Sequence, residues 1–483
     1  STIPDNGEWQ DRGRQGMAGT GVVRGWRAGQ ALAWFVIDPV NCIEHFCRRY
    51  GPVVRVQWRQ TKPILVLIGP EFNREVLMAS DRLRPTGIWP VRAPEGSAQA
   101  NLRRNLLTVH GAEHKPVSDS LLPHLERGQV EAYFDQVREI ALAEIGGWPV
   151  GKPVDIYALF RNLAQRYAFE VLFGIADADK SREFGAHIAD YHAANWSRIA
   201  AIVRLDLPGL PYRRVLRRAE TLQNFVLALM AQARGCPMHS DVRCTMAGLV
   251  DEAGKTMSAA RTAALMSSIA LASYETTATT LAWALVLLSQ HPNVMAALAN
   301  EVAEAGPIEI LSSRRLGELK LLDAVLKETL RILTPVPMLG FKTLHDCEIA
   351  GFDLPEAATV MISPHLTHRM PELYDQPDRF LPERWFNIRP TTYEYLPFSG
   401  GPRRCPGYLF AMANMRMALA VLLSRFNVGL VVGARYNRSY AAVNGPHGTV
   451  PASLSLRHGA PIVAKVPRRL GSVFEMFAPA AAA

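Results

Sequence analysis

The residues with the most specific chemical pattern run from Phe398 to Gly407: Phe-Ser-Gly-Gly-Pro-Arg-Arg-Cys-Pro-Gly. One cysteine, Cys405, is flanked at fixed offsets by an aromatic (Phe398), two glycines (Gly401, Gly407) and an arginine (Arg403). Pro406 suits the first position of a helix and apolar sequence follows, so the cysteine is expected at a helix mouth. The helix N-terminus and Arg403 both favour a thiolate, so a lowered thiol pKa is expected. A thiolate is the form that ligates iron. Gly401 and Gly407 would let the backbone and a flat macrocycle approach closely, and Phe398 would shield the sulfur from water. The alternative is a buried structural cysteine, which needs no such set of neighbours.

Two further clusters carry charge where a soluble helix usually avoids it. Ala272-Ser273-Tyr274-Glu275-Thr276-Thr277 sits in the middle of the longest apolar helical segment, Ser258 to Gln290, with Ser258 as N-cap. A buried acid is costly unless used; the alternative is a Thr276 hydroxyl bonded to its own helix, with Glu275 reaching solvent or a distant cation. Glu328 and Arg331 share a helix face at i and i+3, and Arg384, in Phe380-Leu-Pro-Glu-Arg-Trp385, would complete a buried charge triad. Alone, such a pair is more often a solvated surface pair.

Taken together, these residues resemble the cytochrome P-450 family of haem-thiolate monooxygenases, and the Cys405 region matches its haem-binding signature at every specified position. The resemblance implies a mainly α fold with small β-sheets, a single triangular prism-like domain, and haem b (iron protoporphyrin IX). It implies Cys405 as iron ligand, Arg403 and His114 on the haem propionates, and Ala272 over the haem face. Glu275 and Thr276 become the proton-delivery pair, and Glu328, Arg331 and Arg384 the structural triad. Three departures stand out. Ser273 replaces the usual glycine, either narrowing the oxygen groove or adding a hydrogen bond there. Ser118 replaces a propionate arginine in a segment interrupted by Pro116. Phe341 stands where another is frequent, leaving adjacent Lys342 as a weaker substitute.

By the same resemblance the pocket is lined by parts of 83–103, 269–273, 335–341 and 449–451. The implied reaction inserts one atom of O2 into a small apolar organic substrate, with electrons from a ferredoxin- or flavodoxin-type partner that a basic face near Cys405 would steer. A peroxide-driven haem-thiolate peroxygenase is the alternative, disfavoured by the Glu275-Thr276 pair; a noncatalytic haem-thiolate gas sensor would need no relay at all. Arg92, Arg103, Arg198 and Arg204 leave room for a carboxylate-bearing substrate, although solvated surface arginines are the commoner case.

The elements that must position these residues follow from pattern. The chain has 483 residues, 48% hydrophobic and 20% charged, which excludes disorder and provides for a large core. Helical periodicity predicts helices over 130–145, 156–173, 214–234, 258–290, 319–333 and 407–426; β-rich runs predict a hairpin over 52–68 and a second patch at 347–349 and 359–363. Residues 1–25 are expected as a mobile extension, 26–470 as the haem domain and 471–483 as a tail. Six scattered cysteines point to a reducing compartment; Cys236, His239 and Cys244 lack a fourth metal ligand. The net charge of +9 is spread without a basic run, so nucleic-acid binding is not expected. Gly146 to Lys152 mimics a phosphate loop, but Pro153 replaces the magnesium-binding hydroxyl, and a turn is expected. No signal peptide is read, and the uncharged stretch 276–300 is too interrupted by polar residues to span a membrane. A monomeric, cytoplasmic enzyme is expected.

Overall fold

The computed structural model describes residues 20–457, apart from 58–60, 87–90, 92, 234–240, 251–255, 432–433, 435 and 441–442. The central element is the helix Ala259–Gln290, capped by Ser258, whose side chain accepts from the Arg261 N–H at 3.3 Å. It is apolar on nearly every side, and the fold buries it accordingly: helices Ala98–Arg103, Ile156–Arg166, Pro211–Gln232, Lys320–Ile332 and Tyr408–Arg425 all pack against it. It ends at His291, because Pro292 disfavours a helical residue before it and instead starts the helix Pro292–Glu304.

The expected helices form with two adjustments. The 130–145 helix is two, Arg127–Ala132 and Phe134–Gly146, divided at Tyr133. The 156–173 helix changes at Tyr167–Leu172 to a wider π turn, which buries Tyr167, Ala168, Phe169, Val171 and Leu172 while Glu170 returns to Arg166 at 2.6 Å. Gly147 caps its helix in a turn, as expected for the phosphate-loop mimic.

A six-stranded sheet flanks the helical core, in the order Thr20–Arg24, Val53–Gln57, Ile64–Leu67, Thr359–Ile362, Leu339–Thr343, Leu83–Pro85. The expected hairpin is there, antiparallel with Val53 opposite Leu67. The second β patch divides: Cys347–Ile349 pairs with Phe352–Leu354, whereas Thr359–Ile362 joins the main sheet parallel to Ile64–Leu67. Residues 20–24 correct the expected 1–25 extension, because they pair in parallel with Val53–Gln57. A five-residue edge strand has too few alternating positions to announce itself. Residues 1–19 and 471–483 lie outside the described residues. Cys244 is disulfide-bonded, which takes it out of any metal set; Cys236 and His239 lie outside the described residues. No single helix among the described residues is long and apolar enough to cross a membrane.

Candidate active site

The loop before the last long helix is folded tightly around Cys405. Its backbone N–H donates to the Phe398 carbonyl at 2.8 Å, and Ser399 and Gly401 both take left-handed conformations, φ 57° and 61°, to close the reversal. Gly401 is required: a Cβ there would stand 3.0 Å from the Leu77 carbonyl oxygen. At Gly407 a Cβ would stand 3.8 Å from Cys405 Sγ, an ordinary contact, which places this glycine directly beside the sulfur. The Phe398 ring packs edge-on against Tyr408, 4.9 Å between centroids. Gly407 is the N-cap of Tyr408–Arg425, so Pro406 precedes the helix and does not open it.

Cys405 is surface-exposed, yet surrounding protein raises its thiol pKa by burial. A sulfur with both properties faces an interior opening and not bulk water. The lowered pKa expected from sequence is thus corrected. Desolvation is the largest effect, and the contributions that favour the thiolate come from the Gly407 N–H and Arg404, not from Arg403.

Arg403 donates to the Val109 carbonyl, and burial lowers its guanidinium pKa. His114 stands close enough to feel that charge: burial and then Arg403 push its pKa down to about 4, with Asp119 opposing. The two residues are therefore brought together from distant parts of the sequence, one cationic and one neutral. Pro116 does not interrupt the helix His114–Leu125; it lies in the first turn, where a missing N–H costs nothing. Phe341 is buried in a cluster with Leu77 and Leu396, whereas Lys342 follows it in the strand Leu339–Thr343 and so points to the opposite face.

On the central helix, Ala272 is exposed amid a helix packed on all sides, and Thr276 lies one turn further on the same face. The Thr276 hydroxyl donates to the Ala272 carbonyl at 3.0 Å, and Ser273 donates to Ala270 at 2.8 Å, so Ser273 spends its hydrogen bond within its own helix. Glu275 is held by the helix Ile156–Arg166. Tyr157 donates to its Oε1 at 2.6 Å, and Arg161 pairs with Oε2 at 3.2 Å. Burial, then the Glu275 charge, push the Tyr157 phenol pKa up, so it remains a donor. Burial opposes the Arg161 charge and is the largest single effect, but Glu275, Tyr274 and Tyr157 together outweigh it and leave the guanidinium pKa raised. Sequence reading missed Tyr157 and Arg161; nothing in their local pattern points to a helix more than a hundred residues away.

The triad is complete and closed. Glu328 takes Arg331 Nε and Nη2, both at 2.9 Å, Arg384 Nε at 3.0 Å, the Leu381 N–H at 3.0 Å and Trp385 Nε1 at 2.9 Å. Burial would raise its pKa, but Arg331 and Arg384 hold the carboxyl below the usual range. Trp385 was not anticipated as a partner. Beside the cysteine loop, where Met78 approaches Gly401, lies an open hollow of mixed charge lined by Glu71, Arg74, Glu75, Met78, Arg82 and Tyr393; Arg404, next to Cys405 in the chain, is exposed.

A helical core, a cysteine loop aimed inward and a buried Glu-Arg-Arg triad define a haem-thiolate fold. The family model for Cytochrome P450 matches residues 32–440, and the chain belongs to that family. It is 28% identical over 420 residues to the Mycobacterium tuberculosis protein provisionally named cytochrome P450 137, covering 84% of each chain. It is 31% identical over 327 residues to the one provisionally named 135B1 from Mycobacterium bovis, covering 66% of this chain and 68% of that one. Among solved structures, retinoic acid-bound cyanobacterial CYP120A1 superposes with a TM-score of 0.76 at 20% identity, covering 87% of this chain and 96% of that one, a likeness of fold. The family is in general one of haem-thiolate monooxygenases and implies a haem. The residues present fit one: an exposed thiol on a tight loop with a glycine beside its sulfur, and a guanidinium beside a neutral imidazole with no carboxylate paired to Arg403 among the described residues.

Proposed function

We propose that this chain inserts one atom of O2 into a small apolar organic substrate, with electrons from a separate ferredoxin- or flavodoxin-type donor. The observation that carries the reading is the tight loop that presents an exposed Cys405, together with the exposed Ala272 and half-buried Thr276 midway along a mostly buried central helix. Cys405 would hold the iron of haem b, with Arg403 and His114 at its propionates and Phe398 and Gly401 shaping the loop. Haem bound by a thiolate supplies the oxidant, because electron donation from sulfur favours O–O cleavage.

This chain's own part is to orient, to exclude water and to move protons. Ala272 is a small apolar residue exposed on the central helix, and an apolar neighbour there would suit an apolar substrate. Thr276 offers its hydroxyl one turn further along, and Glu275 is the nearest acid on its helix. The carboxylate is turned toward Tyr157 and Arg161, so passing a proton to Thr276 requires it to exchange those partners. Electron-donor docking is proposed on the side of the cysteine loop that carries exposed Arg404, and the mixed charge of the hollow beside that loop predicts only moderate salt dependence.

The deciding experiment is the carbon monoxide difference spectrum of the reduced protein, recorded for the parent chain and for Cys405→Ala. A thiolate-type band in the parent that vanishes in the variant supports the reading. A parent without that band, or a variant that keeps it, overturns it. Turnover with hydrogen peroxide alone, and none with electron donors, would favour the peroxygenase.

A further inference from the structure

The chain between the helices Ala98–Arg103 and His114–Leu125 is almost free of regular structure, with one short 3-10 turn at Gly111–Glu113. Its first half folds on itself. The buried Asn105 side chain accepts the Leu107 N–H at 3.0 Å and donates to the Leu102 carbonyl at 2.8 Å, while the Thr108 hydroxyl donates to the Arg103 carbonyl at 2.7 Å. The second half bends at Gly111, φ 59°, where a Cβ would meet nothing, so the bend asks only for the left-handed backbone. Residues 104–109 are therefore a stiff unit with a glycine joint behind it.

Among the described residues, three side chains from outside hydrogen-bond to this segment. Arg261, in the first turn of the central helix, donates to the Arg104 carbonyl and pairs with Glu113 Oε2 at 2.9 Å, so one guanidinium bridges its two ends. The Ser268 hydroxyl, two turns further along that helix, accepts the Leu106 N–H at 3.3 Å. From the other side Arg403 donates to the Val109 carbonyl. The segment thus joins the central helix to the Cys405 loop and leads directly into His114. Its outer side is bare: Arg104, Leu107, Gly111 and Glu113 are exposed. Irregular backbone, few ties and an exposed outer face mark a piece of chain that opens before the helices around it do. Glu113 also meets Arg104 Nη2 at 3.6 Å, but the Arg104 side chain is 70% exposed against 14% for Arg261, so the Arg261 pair is the stronger.

We propose that residues 104–113 are a strap closing the haem edge, and that Arg261 is the positioning residue that pins it shut and so sets the rate of haem loss. This rests on the haem-thiolate reading above. Arg261 need not touch the haem; it holds the chain to which Arg403 donates and from which His114 emerges.

The test is transfer of haem from the ferric holoprotein to excess apomyoglobin, followed by absorbance. Arg261→Gln is expected to speed the loss about tenfold, since two charge-assisted contacts weaken together, and Ser268→Ala and Glu113→Gln about threefold each, since each removes one. Arg104→Gln should stay within about twofold, because its pair is solvated. Salt should quicken loss from the parent, where Glu113 is half-exposed, and leave Arg261→Gln unchanged. Glu328→Gln, which weakens the fold without touching the strap, should keep the parent rate. A rate that rises there as much as in Arg261→Gln overturns the proposal, because general instability then explains both. Parent rates in Glu113→Gln and Ser268→Ala overturn it even where Arg261→Gln fails to fold. A parent without the thiolate-type carbon monoxide band overturns both readings, whereas a parent with that band and variants at the parent rate overturn the strap alone.

Discussion

Glu328→Gln offers the sharpest test of how this fold is held. The native carboxylate satisfies five donors at 2.9–3.0 Å. An amide of the same shape keeps one oxygen; its NH2 group, placed where Oε2 was, meets Arg331 Nε and Trp385 Nε1 as donor against donor. Removing one partner of a buried ion pair costs about 3–5 kcal/mol, and the two orphaned donors fall within that range. Arg331 keeps the carbonyls of His368, Pro377 and Arg379, and Arg384 keeps those of Asp375 and Gln376, which argues for the middle of it. Unfolding entropy of about 2.1 cal/mol/K per residue over 483 residues gives about 1 kcal/mol/K, so 4 kcal/mol lowers Tm by about 4 °C. Calorimetry would read this directly. The double variant Glu328→Leu with Arg331→Met should cost less than the two single variants combined, because it does not leave the Arg331 charge buried without its carboxylate, and Arg384 is then the one cation of the triad to lose it. A Glu328→Gln midpoint within about a degree of the parent would refute the reasoning.

Other expectations follow from the same geometry. Acidification should destabilise the fold well above the carboxylate range. Burial, reinforced by Arg161, lowers His192 to about 4; burial and Arg331 lower His368 to about 3; burial, Arg369 and Arg438 lower His365 well below its ordinary value. Below pH about 6.5 the unfolded chain takes protons the folded one refuses, so stability falls with pH by up to about 1.4 kcal/mol per pH unit for each histidine. The Glu328 network persists through this window, since its depressed pKa delays its loss to lower pH. Denaturation midpoints equal at pH 7 and pH 5 would contradict this. Gly401→Ala should cost about 1–3 kcal/mol, read by denaturation, because it puts an alanine at φ 61° with its Cβ against a carbonyl. Tyr157→Phe removes a donor from Glu275 without a change of shape; product formed per electron consumed and the solvent isotope effect should both change while the substrate-induced spectral shift does not. No change in either ratio would exclude Tyr157 from proton delivery.

The legible parts of the site were those written in short stretches of chain. Phe398 to Gly407 folds as one tight loop closed by the Cys405 N–H on the Phe398 carbonyl, so the offsets could place Gly407 beside the sulfur, whereas the Arg403 side chain goes to Val109. The period of the central helix could be read because its burial is set by its own apolar residues, and Ser258 capped it as expected. Glu328 and Arg331 meet on one turn of helix, which spacing gives directly. What failed was of another kind. The five residues 20–24 carry too little pattern for a strand, and the direction of the Cys405 pKa shift depended on how much protein surrounds it.

The sequence by itself therefore determined the family and the Glu-Arg-Arg triad, because each rests on short patterns of residue types; of the two arrangements open for Glu275 and Thr276, the folded chain has the Thr276 hydroxyl bonded to its own helix and Glu275 paired with Arg161. Only the tertiary structure decided which way those groups face and what they meet. It turned Glu275 toward Tyr157 and Arg161, set His114 beside Arg403 and added Trp385 to the triad. The physical reason is distance along the chain: a hydrogen bond or a desolvation between residues a hundred positions apart exists only after helices have packed. No local propensity records it.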